Sequence, residues 1–179
     1  MLKDLVYYND PRLRQGCARV RVCDASTAQV AQDLADSVVH HSGAGMSAPQ
    51  IGHMLRVIVI CLAPDVAPDG SAIVCDPKIY INPEIIEKSS ETIIYPEGSL
   101  SIPGLTEEVE RVKKIKVKAL DVDGNMFEEE ADLWRARVIL HEMDYLDGDL
   151  FIDKLEPGAQ LRIVGALESV DKEFNKTSR

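Results

Sequence analysis

His141-Glu142-Met143-Asp144-Tyr145 has the residue types and spacing of a metal-hydrolase helix in which one ligand has been exchanged. In His-Glu-x-x-His the two histidines, four residues apart, share a helical face and grip one cation, while the intervening Glu serves as general base. Here the second imidazole is the phenol of Tyr145. A phenol has a reference pKa of about 10, so ligation through its oxygen would first require removing a proton. A lone His-Glu pair on a buried helix is more often structural than catalytic, and other segments must decide its meaning.

Two segments do so. Gly43-Ala44-Gly45-Met46-Ser47-Ala48-Pro49-Gln50 and Glu97-Gly98-Ser99-Leu100-Ser101 precede the helix motif in an order and spacing close to the three motifs of peptide deformylases, G-x-G-x-A-A-x-Q, E-G-C-[LV]-S and H-E-x-D-H. The chain resembles that family. The resemblance extends to Asp10-Pro11-Arg12-Leu13-Arg14 near the start and to Leu146, Gly148 and Leu150 after the helix motif, and so covers nearly the whole chain.

The resemblance implies removal of the formyl group from the N-terminal Met of nascent polypeptides. Attack of water on a formamide needs an activated nucleophile, an oxyanion stabiliser and a proton shuttle. In the family a metal, ferrous iron with zinc or nickel as substitutes, supplies the first by lowering the pKa of bound water toward roughly 7 from about 15.7. That ion is held by the Cys of the second motif and both His of the third, which correspond here to Ser99, His141 and Tyr145. One ligand of three remains. The expectation is therefore no metal at full occupancy, with Ser99 and Tyr145 hydrogen-bonded to each other or to His141 in its place.

The other implied roles match residue by residue. Glu142 corresponds to the general base, Gln50 and the backbone N–H of Leu100 to the oxyanion donors, Asp144 to a group behind the ligands, and Glu97 with Arg111 to a buried supporting pair. The implied peptide site uses Gly43, Gly45 and Gly98 as a strand-like docking edge, with Ala44, Trp134, Arg137 and Val138 around the Met side chain. Ala44 is small for that pocket, Arg137 is an odd neighbour for a thioether, and Thr106 stands where the family often has Arg.

The elements that must position these groups can be read from periodicity. Residues 24–41 form a helix, with Asp24, Ser26 and Thr27 as cap candidates, Val30, Leu34 and Val38 on one face, and Gly43 able to end it. The glycine motif is then a loop after a helix, which argues against a phosphate-binding fingerprint. Residues 56–62, 78–86 and 91–95 read as strands, and 63–77 as a loop excursion rich in Pro, Asp and Gly. The alternation at 112–122, turning at Asp123-Gly124 and returning to near Glu130, reads as a hairpin whose Lys113, Lys114, Lys116 and Lys118 are a solvated face. Residues 132–146 form the motif helix, apolar nearly all round ahead of His141, and 156–175 a terminal amphipathic helix. The expected fold is α+β, one domain over residues 1–179, with sheets around a central motif helix.

Composition narrows the partners. Of 179 residues, 45% are hydrophobic and 28% charged, ordinary for a globular domain that buries its own core. No apolar run approaches the roughly 20 residues that cross a bilayer, and Met1-Leu2-Lys3-Asp4 opens no signal peptide, so the expected location is cytoplasmic. A net charge of −10 opposes nonspecific adhesion to nucleic acid or an anionic membrane. The implied partner is an N-formyl-Met peptide or nascent chain, and any ribosome contact would be local. Cys17, Cys23, Cys61 and Cys75 form no metal or redox motif and are expected as free thiols, with Cys61 the one strand cysteine near enough to be weighed as a substitute ligand. Three functions follow: a deformylase-family protein with catalysis lost or strongly impaired, an active enzyme with a rearranged metal site, or a noncatalytic peptide-binding or interaction protein.

Overall fold

The computed structural model describes residues 2–62 and 76–174. Three helices, α1 (Ala25–His40), α2 (Leu133–Asp147) and α3 (Pro157–Phe174), accompany seven strands: β1 (Gly45–Ser47), β2 (Val57–Ile60), β3 (Lys78–Lys88), β4 (Thr92–Ser99), β5 (Ile102–Val112), β6 (Lys114–Leu120) and β7 (Met126–Asp132). One antiparallel sheet runs in the order β1-β2-β3-β6-β7, and β4 with β5 makes a separate hairpin. The fold is α+β, with α2 between them. Ile139, Met143 and Leu146 of α2 pack on the five-stranded sheet with Ile58, Tyr80 and Val117, whereas Tyr145 joins the cluster built from β5, α3 and the N-terminal segment.

Asp24 caps α1 by accepting from the backbone N–H groups of Ser26 and Thr27, both at 3.0 Å, a contact worth about 1 kcal/mol. Val30, Leu34 and Val38 form its buried face, as the periodicity predicts. Two expectations at its far end are corrected. The left-handed residue that turns the chain is Ser42 (φ 53°), with Gly43 donating back to the carbonyl of Val38 at 2.9 Å. The glycine motif is not merely loop either: Gly45–Ser47 is an edge strand paired with Ile58–Ile60, and residues 48–51 form a 3-10 turn.

The reading of 63–77 as a loop falls almost wholly outside the described residues. The β6–β7 hairpin turns at Gly124 (φ 83°), and Lys116 and Lys118 pair with Glu128 and Glu84 on its solvated face. β5 was absent from the periodicity reading altogether. Its register slips where Gly98 opposes Thr106 but Ser99 opposes Ile102, and the bulge that absorbs the difference contains Gly104 at φ 77°. Inward positions thus change parity, from Ile102 to Leu105 and Val109, and no run of alternation survives.

α2 is stopped by Gly148 in the left-handed region (φ 82°), where a Cβ would also sit 2.9 Å from the backbone of Arg14. The segment 10–14 and the residues after the motif helix, far apart in sequence, therefore meet in space. Cys17 and Cys23 are free thiols, but Cys61 is disulfide-bonded, which corrects the expectation for that residue and removes it as a substitute ligand.

Candidate functional site

α2 presents His141, Glu142 and Tyr145 toward the gap between the five-stranded sheet and the β4–β5 hairpin, and all three are buried. A cavity of about 240 Å³ lies there. Gly43, Ala44, Gly45 and Gln50 line it from one side, Gly98, Ser99 and Leu100 from another, and Trp134, Arg137, Val138, His141 and Glu142 from α2, with Glu97 behind. The three sequence motifs, separated by more than ninety residues of chain, are brought around one space.

Ser99 and Tyr145 are bonded to each other. Ser99 Oγ is 2.6 Å from the Tyr145 hydroxyl and also accepts from the backbone N–H of Ser101 at 3.1 Å. Tyr145 is fully buried, and burial pushes its phenol far above the ordinary range, so it stays protonated. The chain of polar groups continues: Gln50 donates to Ser101 Oγ at 3.2 Å, and its own carbonyl accepts from the backbone N–H and hydroxyl of Ser47, both at 2.8 Å. Gln50 therefore lines the cavity with one amide hydrogen already engaged. Ser47 and Ser101 lie inside the quoted motifs, yet nothing in their spacing marked them as the links of this network.

Glu142 is the orphan of the site. Its Oε2 is buried without a hydrogen-bond partner. Burial, only partly offset by His141 and Ser47, raises its carboxyl from an ordinary 4.5 to about 7. A carboxyl balanced there both accepts and returns a proton near neutral pH, the property a proton shuttle needs.

Behind the cavity, Glu97 gathers four hydrogen bonds. Arg111 approaches it through Nε at 2.9 Å and Nη2 at 2.8 Å, Arg137 through Nη1 at 2.5 Å, and His141 Nδ1 lies 2.9 Å from its second oxygen. Burial alone would raise this carboxyl, but the hydrogen bonds and charges of Arg111 and His141 outweigh it and hold it at about 2. Arg111 also reaches Asp144 at 2.6 Å. The expected Glu97–Arg111 pair is present, with Asp144 attached to it.

Arg137 departs from its expected place beside a ligand's thioether. Its head turns to Glu97 and donates to the carbonyls of Val109 at 2.9 Å and Ile93 at 2.7 Å. The sequence reading also missed Tyr95, whose ring meets Trp134 edge-on at 5.8 Å and, with Ile93 and Leu133, walls an adjoining apolar cleft. Thr106 pairs with Gly98 across the hairpin, beside the cavity that Gly98 lines.

A transition metal does not fit these donors. A neutral serine hydroxyl and a protonated phenol that bond to each other leave His141 as the one good ligand, and no group of three His, Cys, Asp or Glu among the described residues could hold an ion.

A buried His-Glu helix facing a strand-edged cleft, between a sheet and a hairpin, defines an α+β scaffold of the hydrolase kind. The polypeptide deformylase family matches residues 2–160, and the chain belongs to that family. It is 41% identical over 166 residues to a peptide deformylase of Thermomicrobium roseum, covering 91% of each chain. It is 36% identical over 172 residues to that of Chromobacterium violaceum, covering 96% of this chain and 98% of the relative. Among solved structures, Arabidopsis thaliana peptide deformylase 1B superposes with a TM-score of 0.86 at 29% identity over 98% of this chain and 93% of that one. The Ehrlichia chaffeensis peptide deformylase in complex with actinonin gives 0.86 at 30% identity, over 97% and 98%. No helix among the described residues is long and apolar enough to cross a membrane.

Proposed function

We propose that this protein is a deformylase-family member in which hydrolysis is lost or strongly impaired and binding of peptides with an N-terminal formyl-Met persists. The carrying observation is the 2.6 Å contact between Ser99 Oγ and the Tyr145 hydroxyl. It joins two of the three positions that hold the metal in the family into a neutral, satisfied pair. General-base assistance contributes about 10²- to 10⁴-fold and an oxyanion donor about 10²- to 10³-fold, and neither replaces a metal-bound hydroxide. The strand edge at Gly45, the opposing Gly98 and the cavity between them support the retained peptide site.

A second reading, an active enzyme with a rearranged site, draws on Glu142, whose carboxyl near 7 and unpartnered oxygen suit a proton shuttle. One set of measurements separates the two. Metal content of protein purified without added salts, turnover of a formyl-Met tripeptide, and calorimetric binding of the same peptide are compared between the unaltered chain and the double variant Ser99→Cys, Tyr145→His. The proposal expects substoichiometric metal, no measurable turnover and peptide binding in the unaltered chain, with metal and turnover gained in the variant. Stoichiometric iron, nickel or zinc in the unaltered chain, with turnover that Glu142→Ala abolishes, selects the second reading.

A further inference from the structure

A chain of polar side chains joins all three motifs, and backbone donors set its polarity from both ends. Each serine or tyrosine hydroxyl has one proton to donate and lone pairs with which to accept. At one end the backbone N–H of Ser47 donates to Gln50 Oε1 at 2.8 Å, which fixes the orientation of that amide, and Gln50 Nε2 donates to Ser101 Oγ at 3.2 Å. At the other end the backbone N–H of Ser101 donates to Ser99 Oγ at 3.1 Å. Between them stands the Tyr145 hydroxyl, 2.6 Å from Ser99 Oγ, with the Ser101 hydroxyl also acting on it.

The protons can be placed one by one. Ser101 is fully buried and its Oγ already accepts from Gln50, so its own proton needs an acceptor, and the Tyr145 oxygen is beside it. Tyr145, fully buried and protonated, then donates to Ser99 Oγ. Ser99 Oγ thus accepts twice and keeps one proton to give. The reverse polarity, Ser99 to Tyr145 to Ser101, would strand the Ser101 proton in the interior, where an unmade hydrogen bond is expensive. Ser99, by contrast, is half-buried and lines the cavity.

We infer that Ser99 is a ligand-binding residue, whose hydroxyl donates into the cavity to a neutral carbonyl oxygen, that of the formamide of a formyl-Met peptide. Gln50 lines the same cavity with its second amide hydrogen, and two donors of this kind call for an acceptor with two lone pairs. The inference deepens the peptide-binding reading above and rests on it.

Calorimetry tests it with a formyl-Met tripeptide and the analogue in which hydrogen replaces the formylamino group, each titrated into the unaltered chain, Ser99→Ala and Tyr145→Phe. The ratio of the two dissociation constants isolates the formamide. The unaltered chain is expected to prefer the formyl peptide, and Ser99→Ala to lower that preference about threefold to tenfold, the weight of one net hydrogen bond. A serine with only a structural role would weaken both peptides alike, and an unmoved ratio overturns the inference. Tyr145→Phe reads the polarity: with Tyr145 as the donor its removal leaves the Ser99 proton facing the cavity, and the preference does not rise. A rise would mean that Ser99 had been donating to the phenol, which also defeats the inference. Equal affinity of the unaltered chain for the two peptides overturns this inference alone, whereas binding of neither overturns the parent reading and takes this inference with it.

Discussion

Gly45 lies so close to Glu142 that a Cβ on the glycine would stand 2.9 Å from both Cγ and Oε1 of that side chain, and 2.8 Å from Val138 Cγ1. The edge strand and the motif helix are in contact at this point, and only a missing side chain lets the carboxyl sit at the cavity wall. Gly45→Ala is therefore expected to cost about 1–3 kcal/mol in urea unfolding, the usual penalty of overpacking, and to weaken peptide binding. Gly165→Ala in α3 is the control: nothing lies within 4 Å of its added Cβ, and the helix should gain about 0.5–1 kcal/mol. Equal stability of the two variants would show that α2 can move away from β1.

Two buried carboxyls give opposite pH dependences. Glu97, lowered to about 2, contributes stability that is present above its ordinary 4.5 and lost as pH falls toward 2. Glu142, raised to about 7, keeps a proton in the folded protein that the unfolded chain releases above 4.5, so stability declines as pH rises from there through 7. At about 1.4 kcal/mol per pKa unit, the loss approaches about 3 kcal/mol. Denaturation between about pH 5 and 8 is expected to show Glu142→Gln with a flatter profile and the greater stability at the alkaline end. A parallel profile for variant and parent would exclude Glu142 as the titrating group.

The Tyr145 phenol is expected to remain protonated at pH values well beyond its ordinary range, because burial leaves the phenolate without solvent. Ultraviolet titration of the folded protein and of Tyr145→Phe should then show the same number of ionising phenols up to about one unit above the reference value of 10. The Phe variant should lose about 0.5–1.5 kcal/mol, one hydrogen bond, since Ser99 Oγ still accepts from Ser101. One fewer ionising tyrosine in the variant would mean that the phenol is reachable by hydroxide and available as a ligand.

The site was legible through its motifs. His141, Glu142, Gln50, Ser99 and Glu97 could be named because the segments that hold them resemble those of the family, and the contact between Ser99 and Tyr145 is one of the two arrangements that the sequence left open, the other being a bond to His141. The strands with steady alternation, such as β6 with its Lys-Ile-Lys-Val-Lys-Ala-Leu run, were legible too. β5 was not, because the bulge at Gly104 changes which face its side chains take, and hydrophobic periodicity carries no information across such a change. Arg137 was misplaced for a different reason. The resemblance puts it beside the pocket, and it does line the cavity, but a long side chain can turn its head back to a buried carboxylate, and that choice depends on the carbonyls of Ile93 and Val109 in the β4–β5 hairpin.

Arg111 and Asp144 separate the buried part of the ion network from its rim. Arg111 is 7% exposed and satisfies Glu97 through two donors and Asp144 through a third, whereas Asp144 is 17% exposed and also has Lys154 at 3.5 Å. Removing Arg111 leaves Glu97 to Arg137 and His141, and leaves Asp144 facing a half-charged interior, a class of change that costs about 3–5 kcal/mol. Removing the charge of Asp144 keeps a hydrogen-bonding group beside Arg111, and a rim pair of this kind is worth about 0–1 kcal/mol. Arg111→Met is therefore expected to lower the urea midpoint several-fold more than Asp144→Asn, with unchanged m-values in both. A Glu97→Gln, Arg111→Met double variant more stable than Arg111→Met alone would identify the stranded carboxylate, and not lost packing, as the source of the penalty. If the double variant is the less stable of the two, Arg137 and His141 by themselves suffice to hold Glu97 ionised.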